Sequence, residues 1–370
     1  MLKASYVIPT LPPAGVEETP AVLRALATAH RHLAELKGRA ASIPNQGILI
    51  DTLALQEAKA SSEIENIVTT QDELFQASAF PENPASPAAK EVARYADALR
   101  HGFTEQRRLG GLLTNNMIIA MFQMLKRTDE EFRATPGTAL KNDQTGEMVY
   151  VPPQEGEAVR AHMTALERFI NEDPEQEGAS GLDPLVKMAI VHHQFESIHP
   201  FSDGNGRLGR IINVLYLTHA GLLDVPVLYL SRWITGRKGE YYRLLQTVRD
   251  CEGAADAWEA WLLYMIRGVG ETAKGTLALI EGMRELMADY KQRIRRDHLK
   301  LYSQDLLNNL FRHPYTRIEY VERELGVSRP TATKYLDTLA AAGFLDKQRI
   351  GRNNYYMNQR LVALFAEGAA

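Results

Sequence analysis

Apolar residues recur at helical spacing through most of the chain. From Thr19-Pro20 onward, Val22, Leu23, Leu26, Ala29, Leu33 and Leu36 line one face and predict an amphipathic helix ending at Gly38. Asn45-Gln46-Gly47 breaks the pattern. A second helix is expected from Ile48 to Ile64, then a shorter one from Thr69 to Phe75, then a connector through Pro81, Pro84 and Pro87. Further helices fit Glu91 to Gly102, Thr114 to Leu125, Gly156 to Asn171 and Asp183 to Ile198. Asp183 is placed to cap the last of these, with Pro184 in the first helical position. Another runs to Gly221 after a glycine-rich stretch, followed by Lys238 to Arg249, Ala254 to Arg267 and Glu271 to Arg296.

Strand patterning is rare. Leu140 to Val151 is the one β-hairpin candidate in the middle of the chain: polar turn residues Asn142 to Gly146 lead into Met148, Val149, Tyr150 and Val151, and Pro152-Pro153 stops the strand. The first 16 residues are proline-rich and aperiodic, and predict an extended arm packed on something else. Near the C-terminus, Ile318, Val321, Leu325 and Val327, then Ala332, Tyr335, Leu336, Leu339 and Phe344, give two helices joined by a short glycine-containing turn, and Leu345 to Met357 gives a strand pair. That is helix-turn-helix spacing followed by something like the wing of a winged helix. The fold class is therefore mainly α, divided into an N-terminal region (1–111), a central core (112–250), a helical connector (251–300) and a winged-helix-like module (301–370). No internal repeat is evident.

With 370 residues, two or three cores are expected; 45% apolar and 24% charged residues and a net charge of −4 exclude wholesale disorder and a globally basic nucleic-acid binder. Cys251 is the sole cysteine, so neither an intrachain disulfide nor a thiolate metal cage can form, which points to a reducing compartment. The N-terminus reaches Pro9 before any signal-like apolar region develops, and no apolar run is long enough for a bilayer. Cytoplasmic residence with no membrane partner is expected.

The chemistry concentrates in His199-Pro200-Phe201-Ser202-Asp203-Gly204-Asn205-Gly206-Arg207-Leu208-Gly209-Arg210. A loop with two glycines around an asparagine opens directly into a helix, so backbone N–H groups and the positive end of the helix dipole face outward, a natural phosphate site. Arg207 and Arg210, three apart in the first turn, can both face the same anion. Asp203 is placed to ligate a divalent cation bridging phosphates, and His199 is the neighbouring group able to take a proton near neutral pH. Nearby, His192, His193 and Glu196 invite comparison with a metal hydrolase. The HExxH order is missing and no third ligand is evident, so a packed helix face is the better reading.

This run resembles the Fic motif HPFx(D/E)GNGRxxR at every fixed position. The resemblance implies a helical Fic core with a hairpin flap, and transfer of AMP from ATP to serine, threonine or tyrosine hydroxyls of proteins, the chain itself included. It implies His199 as the base, Asp203 as holder of Mg2+, Gly204, Asn205 and Gly206 as the cradle of the α and β phosphates, and Arg207 and Arg210 on the outer phosphates, with Leu208 and Gly209 among the ATP-contacting positions. Relatives that transfer phosphate replace a loop glycine with lysine; Gly204 and Gly206 are intact here, which favours nucleotidyl transfer. Ser61-Ser62-Glu63-Ile64-Glu65-Asn66 matches the inhibitory pattern (S/T)xxxE(G/N) of many Fic proteins, in which Glu65 would pair with Arg210, with Ser61 and Asn66 completing the motif. The Lys141–Val151 hairpin would be the flap that aligns a target segment as an added strand. Tyr241 and Tyr242 fall where relatives contact adenine, or else belong to the core. A homodimer is also implied. In the C-terminal module Arg329, Lys334, Lys347, Arg349 and Arg352 outnumber Asp337 and Asp346, which leaves open DNA binding or protein docking.

Overall fold

The computed structural model describes residues 6–79, 86–141, 146–350 and 353–367. The N-terminal helices are α1 (Pro20–Ala41), α2 (Gln46–Ile64), α3 (Gln71–Ala79) and α4 (Pro87–Arg108). The central ones are α5 (Asn115–Lys126), the two short strands β1 (Leu140–Lys141) and β2 (Met148–Tyr150), α6 (Gly156–Ile170), α7 (Pro184–Ile198), α8 (Asn205–His219), α9 (Leu230–Thr235) and α10 (Lys238–Asp250). Then come α11 (Ala255–Asp297), α12 (Gln304–Arg312), β3 (Tyr315–Thr316), α13 (Ile318–Leu325), α14 (Arg329–Ala341), β4 (Asp346–Ile350), β5 (Asn353–Met357) and α15 (Gln359–Glu367).

Local chemistry sets most boundaries. The side chains of Thr19, Asn45, Ser86, Thr114 and Asp183 each accept a backbone N–H at the start of their helix, satisfying one of the donors that a helix leaves orphaned. α3 starts at Gln71 and not at Thr69, because Thr70 and Glu73 cap each other: the Glu73 N–H donates to Thr70 Oγ1 at 3.1 Å and the Thr70 N–H to Glu73 Oε2 at 3.0 Å. Pro87, expected in a connector, occupies the first turn of α4. The polar turn anticipated at 142–145 lies outside the described residues.

One expectation fails outright. Ala254–Arg267 and Glu271–Arg296 are not two helices but the single 43-residue α11. Gly268 and Gly270 do not interrupt it; they let neighbours approach. A Cβ on Gly268 would come within 2.7 Å of the Trp233 ring, and one on Gly270 within 3.4 Å of the Ala29 backbone in α1. Burial of α1 and Trp233 against α11 outweighs the roughly 1 kcal/mol by which a mid-helix glycine disfavours helix.

α7 lies at the centre, buried at every position from Leu185 to Ile198. Such a helix shows no amphipathic stripe because it has no solvent face. The N-terminal arm crosses it: Gln194 donates to the Pro9 carbonyl at 3.0 Å, and Tyr6 meets Tyr150 and His193 edge-on. In the C-terminal module, α13 and α14 are joined through Gly326, whose φ of 64° needs a glycine, and the antiparallel sheet runs β3-β5-β4. That module rests on α2 and α3: Arg312 pairs with Asp51 at 2.6 Å, the Tyr315 hydroxyl donates to Asp72 at 2.5 Å, and Phe75 stacks on Tyr315.

Candidate active site

α7 ends where His199 adopts a left-handed conformation, φ 48°, turning the chain sharply into the loop. Two devices fix the loop. Phe201 is fully buried and stacks on Phe122 with ring centroids 4.0 Å apart. Asn205 returns its amide to the loop, accepting the Phe201 N–H and donating to the Phe201 carbonyl, both at 2.9 Å. Asn205 therefore braces the loop with its side chain, leaving only its backbone to face a ligand. Gly204 caps α8 at φ 79°, and the first helical bond is from the Leu208 N–H to the Gly204 carbonyl. The N–H groups of Asn205, Gly206 and Arg207 precede it and have no carbonyl within the helix to reach, which makes the helix start an anion cradle.

His199 sits at the rim of that cradle, half-buried. Arg133 holds the bend by donating to the His199 carbonyl at 2.8 Å and the Ile198 carbonyl at 3.1 Å. Burial first, then the Arg249 and Arg133 guanidinium groups, push its imidazole down to about 4, so it is neutral and able to accept a proton at pH 7. The hairpin is anchored beside it: Tyr150 of β2 donates to the Ser197 carbonyl at 2.7 Å, and Arg249 lies over the Tyr150 ring while donating to Ser197 Oγ.

Asp203, Arg207 and Arg210 are each engaged. Lys126 donates to Asp203 Oδ2 at 2.6 Å. Burial alone would raise Asp203, but the Lys126 ammonium outweighs it and holds the carboxyl below its usual range. Arg207 is paired with Glu91, which Lys126 also approaches at 3.6 Å. Arg210, 1% exposed, donates from Nε to Ser61 Oγ at 2.8 Å and from Nη2 to the Ser61 carbonyl and Glu65 Oε1, both at 2.9 Å. Burial opposes its charge, yet the Glu65 carboxylate more than offsets that and raises it further. Glu65 Oε1 stands directly over the helix start, where a Cβ on Gly206 would lie 2.5 Å from it. Asn66 follows with φ 61° and accepts from Lys238 at 3.0 Å.

Not every anticipated residue reaches the site. Tyr241 is a core residue, 1% exposed, with its hydroxyl 2.8 Å from His192 Nε2; its ring is closed to a ligand, which corrects the expectation of an adenine contact there. Tyr242 beside it is 42% exposed. Leu208 buries its side chain beneath α8. Gly209 backs onto Glu196 and Phe195, where a Cβ would lie 3.2 Å from each. His192 and His193 are wholly buried and held neutral, and among the described residues no group of three or more His, Cys, Asp or Glu could hold a metal ion. Of the basic residues in the C-terminal module, Arg329 is paired with Glu319 and Glu322, Lys347 with Asp337, Lys334 and Arg349 are exposed, and Arg352 lies outside the described residues. Glu91, Lys126 and Arg133 were missed from sequence, and Glu196 was read only as part of a packed helix face. They come from α4, α5, a loop and α7, and no spacing along the chain links them.

Three family models match in succession: Fic/DOC family N-terminal at 23–104, Fic/DOC family at 112–217, and Protein adenylyltransferase SoFic-like, C-terminal domain, at 286–361. The chain belongs to the Fic/DOC family. The Fic match ends two residues before α8 does and contains the whole run from His199 to Arg210. Among curated relatives, a probable protein adenylyltransferase of Aquifex aeolicus is 35% identical over 85 residues, 18% of this chain and 27% of the relative. The protein adenylyltransferase Fic of Drosophila yakuba is 32% identical over 101 residues, 27% of this chain and 18% of the relative. The chain thus spans about a quarter or less of the length of these relatives. A Fic family protein from Desulfovibrio desulfuricans shares the fold over 92% of this chain and 96% of its own, with a TM-score of 0.54 at 21% identity. Fic-1 from C. elegans does so over 72% and 74%, with a TM-score of 0.53 at 17% identity.

Proposed function

We propose that this Fic protein is a protein adenylyltransferase that moves AMP from ATP to a serine, threonine or tyrosine hydroxyl, its own included, and that Glu65 holds it inactive. The observation that carries the reading is the helix start of α8: three outward N–H groups flanked by Arg207 and Arg210, with the neutral His199 beside them. His199 takes the proton of the acceptor hydroxyl, the hydroxyl oxygen bonds to the α phosphorus, and pyrophosphate leaves with the pair of electrons from the bond that breaks. The cradle and the two arginines carry the charge of the departing phosphates.

Mg2+ fits the donors present. Asp203 is 67% exposed beside the anion cradle, and a single carboxylate with water and substrate phosphates is what Mg2+ commonly uses. Asp203 would hold the ion, which would neutralise charge between phosphates. For this Asp203 must leave Lys126, as Arg207 must leave Glu91 and Arg210 must leave Glu65.

The hairpin β1–β2 leaves Met148 and Val149 about half exposed, which suits an extended target segment lying along it. In the C-terminal module we read a winged helix that docks on protein, because Arg329 and Lys347 are already neutralised within it and the module packs on α2 and α3. A cytoplasmic homodimer completes the proposal, on the lone Cys251 and the Fic resemblance; no helix among the described residues is long and apolar enough to cross a membrane.

The test is incubation of wild type and Glu65→Gly with Mg2+ and ATP labelled on the α or the γ phosphate. Label on protein from α alone, stronger in the variant, is expected. Label from γ alone means phosphotransfer. Absence of both refutes ATP as donor and turns attention to another nucleotide, to removal of AMP, or to DNA retention through the C-terminal module.

A further inference from the structure

Glu196 is a wholly buried carboxyl with no role in the reading above. It points up from α7 against the first turns of α8, where its Oε1 would lie 3.2 Å from a Cβ on Gly209 and 3.6 Å from one on Gly206. Oε1 has no hydrogen-bond partner among the described residues. Arg210 Nη1 is likewise buried and without a partner, and it would lie 3.0 Å from the same point on Gly206. An unpaired carboxylate oxygen and an unpaired guanidinium nitrogen thus lie against one spot of one helix without forming an ion pair. Each has lost its water without gaining a partner, which disfavours leaving the two apart. Glu65 instead takes the other amino nitrogen, Nη2, and its side chain is about one-third exposed where Glu196 is buried.

We propose that Glu196 is the positioning residue for Arg210: when Glu65 withdraws, the Glu196 carboxylate takes Arg210 Nη1 from beneath α8 and holds the guanidinium toward the outer phosphates. This rests on the adenylyltransferase reading and adds a second carboxylate to it. Glu65 and Glu196 compete for one arginine, and only Glu196 leaves the outward side of that arginine open to a phosphate. Gly206 and Gly209 are what make room for both oxygens.

The electrostatics support an exchange. Burial pushes the Glu196 carboxyl up to about 7; Arg210 and Arg249 act against this, and Glu65 adds to it. The groups facing it are Arg210 on α8, Arg249 and Tyr241 on α10, Glu65 at the end of α2 and His192 on its own helix. While Glu65 is in place, Glu196 is about half protonated near pH 7. Departure of Glu65 removes a like charge, so Glu196 gives up its proton and becomes the anion that Arg210 needs. Release of the brake is therefore coupled to proton release, and wild-type transfer rises with pH through about 7.

The experiment first requires Glu65→Gly to transfer α label, which settles the adenylyltransferase reading separately. In that background Glu196→Gln, of equal size, is expected to raise KM for ATP about tenfold while kcat changes less than threefold, and in the wild-type background to flatten the pH dependence through 7. A KM within twofold of the Glu65→Gly parent, in a variant with the parent's melting temperature, overturns the proposal. If the glutamine variant does not fold, calorimetric ATP titrations of wild type and Glu65→Gly at pH 7, in buffers of different ionisation enthalpy, decide instead. Wild type is expected to release more protons per ATP bound than Glu65→Gly; equal release overturns the proposal.

Discussion

Replacing Glu65 by glycine removes one charged hydrogen bond, at 2.9 Å, from an arginine that is 1% exposed. Two others remain, from Nε to Ser61 Oγ and from Nη2 to the Ser61 carbonyl, so Arg210 keeps its place while its outward side opens. A hydrogen bond to a charged group contributes about 1.5–3 kcal/mol. Glu65 is about one-third exposed and its share is screened accordingly, so the lower half of that range applies. With about 1.4 kcal/mol to a factor of ten, removing the competitor strengthens ATP binding by roughly 10- to 40-fold. The assay is the initial rate of α-label incorporation at ATP concentrations well below KM, where rate follows kcat/KM. An increase within that range is expected, most of it in KM. A Glu65→Gly rate within twofold of wild type, in a folded variant, refutes the argument that Glu65 competes with the outer phosphate for Arg210.

Other consequences follow from single atoms. His199→Ala is expected to abolish transfer while leaving nucleotide binding, read by calorimetry, within about threefold; transfer above one-tenth of the parent rate removes His199 as the base. The acid limb of kcat/KM in the Glu65→Gly variant is expected below pH 5, because the folded His199 is held at about 4 against about 6.5 in the unfolded chain. The same depression makes His199 contribute stability that is full above about 6.5 and lost as pH falls toward 4, so melting temperature should drop less in His199→Ala than in wild type across that window. Gly206→Ala puts a methyl 2.5 Å from Glu65 Oε1 and 3.0 Å from Arg210 Nη1. It is expected to dislodge Glu65 without raising activity, since the methyl fills the phosphate cradle; activation on the Glu65→Gly scale would show that the cradle is elsewhere. Gly268→Ala drives a methyl to 2.7 Å from the Trp233 ring and should cost about 1–3 kcal/mol in urea unfolding, against no loss if α11 hinges there.

The sequence by itself determined a good deal. Caps and proline positions placed the helix starts at Pro20 and Pro184, because these signals act through bonds to residues two or three away. Twelve contiguous residues carried the cradle, the base and both arginines, because a helix start gathers its own donors. The pattern around Ser61 and Glu65 was also contiguous, and α2 delivers both side chains to Arg210, 145 or more residues distant. Only the tertiary structure decided what those groups touch before a ligand arrives. The pairing of Asp203 with Lys126 and of Arg207 with Glu91 joins three elements that no periodicity relates. The continuity of α11 was settled by Trp233 and Ala29 packing onto Gly268 and Gly270, against local propensity. Burial assigned Tyr241 to the core and Tyr242 to the edge, although the two are adjacent in sequence and of one type. It also made Glu196, which reads as one polar residue on a buried helix face, a carboxyl poised beneath Arg210, because the cost of a buried charge depends on neighbours that only folding supplies.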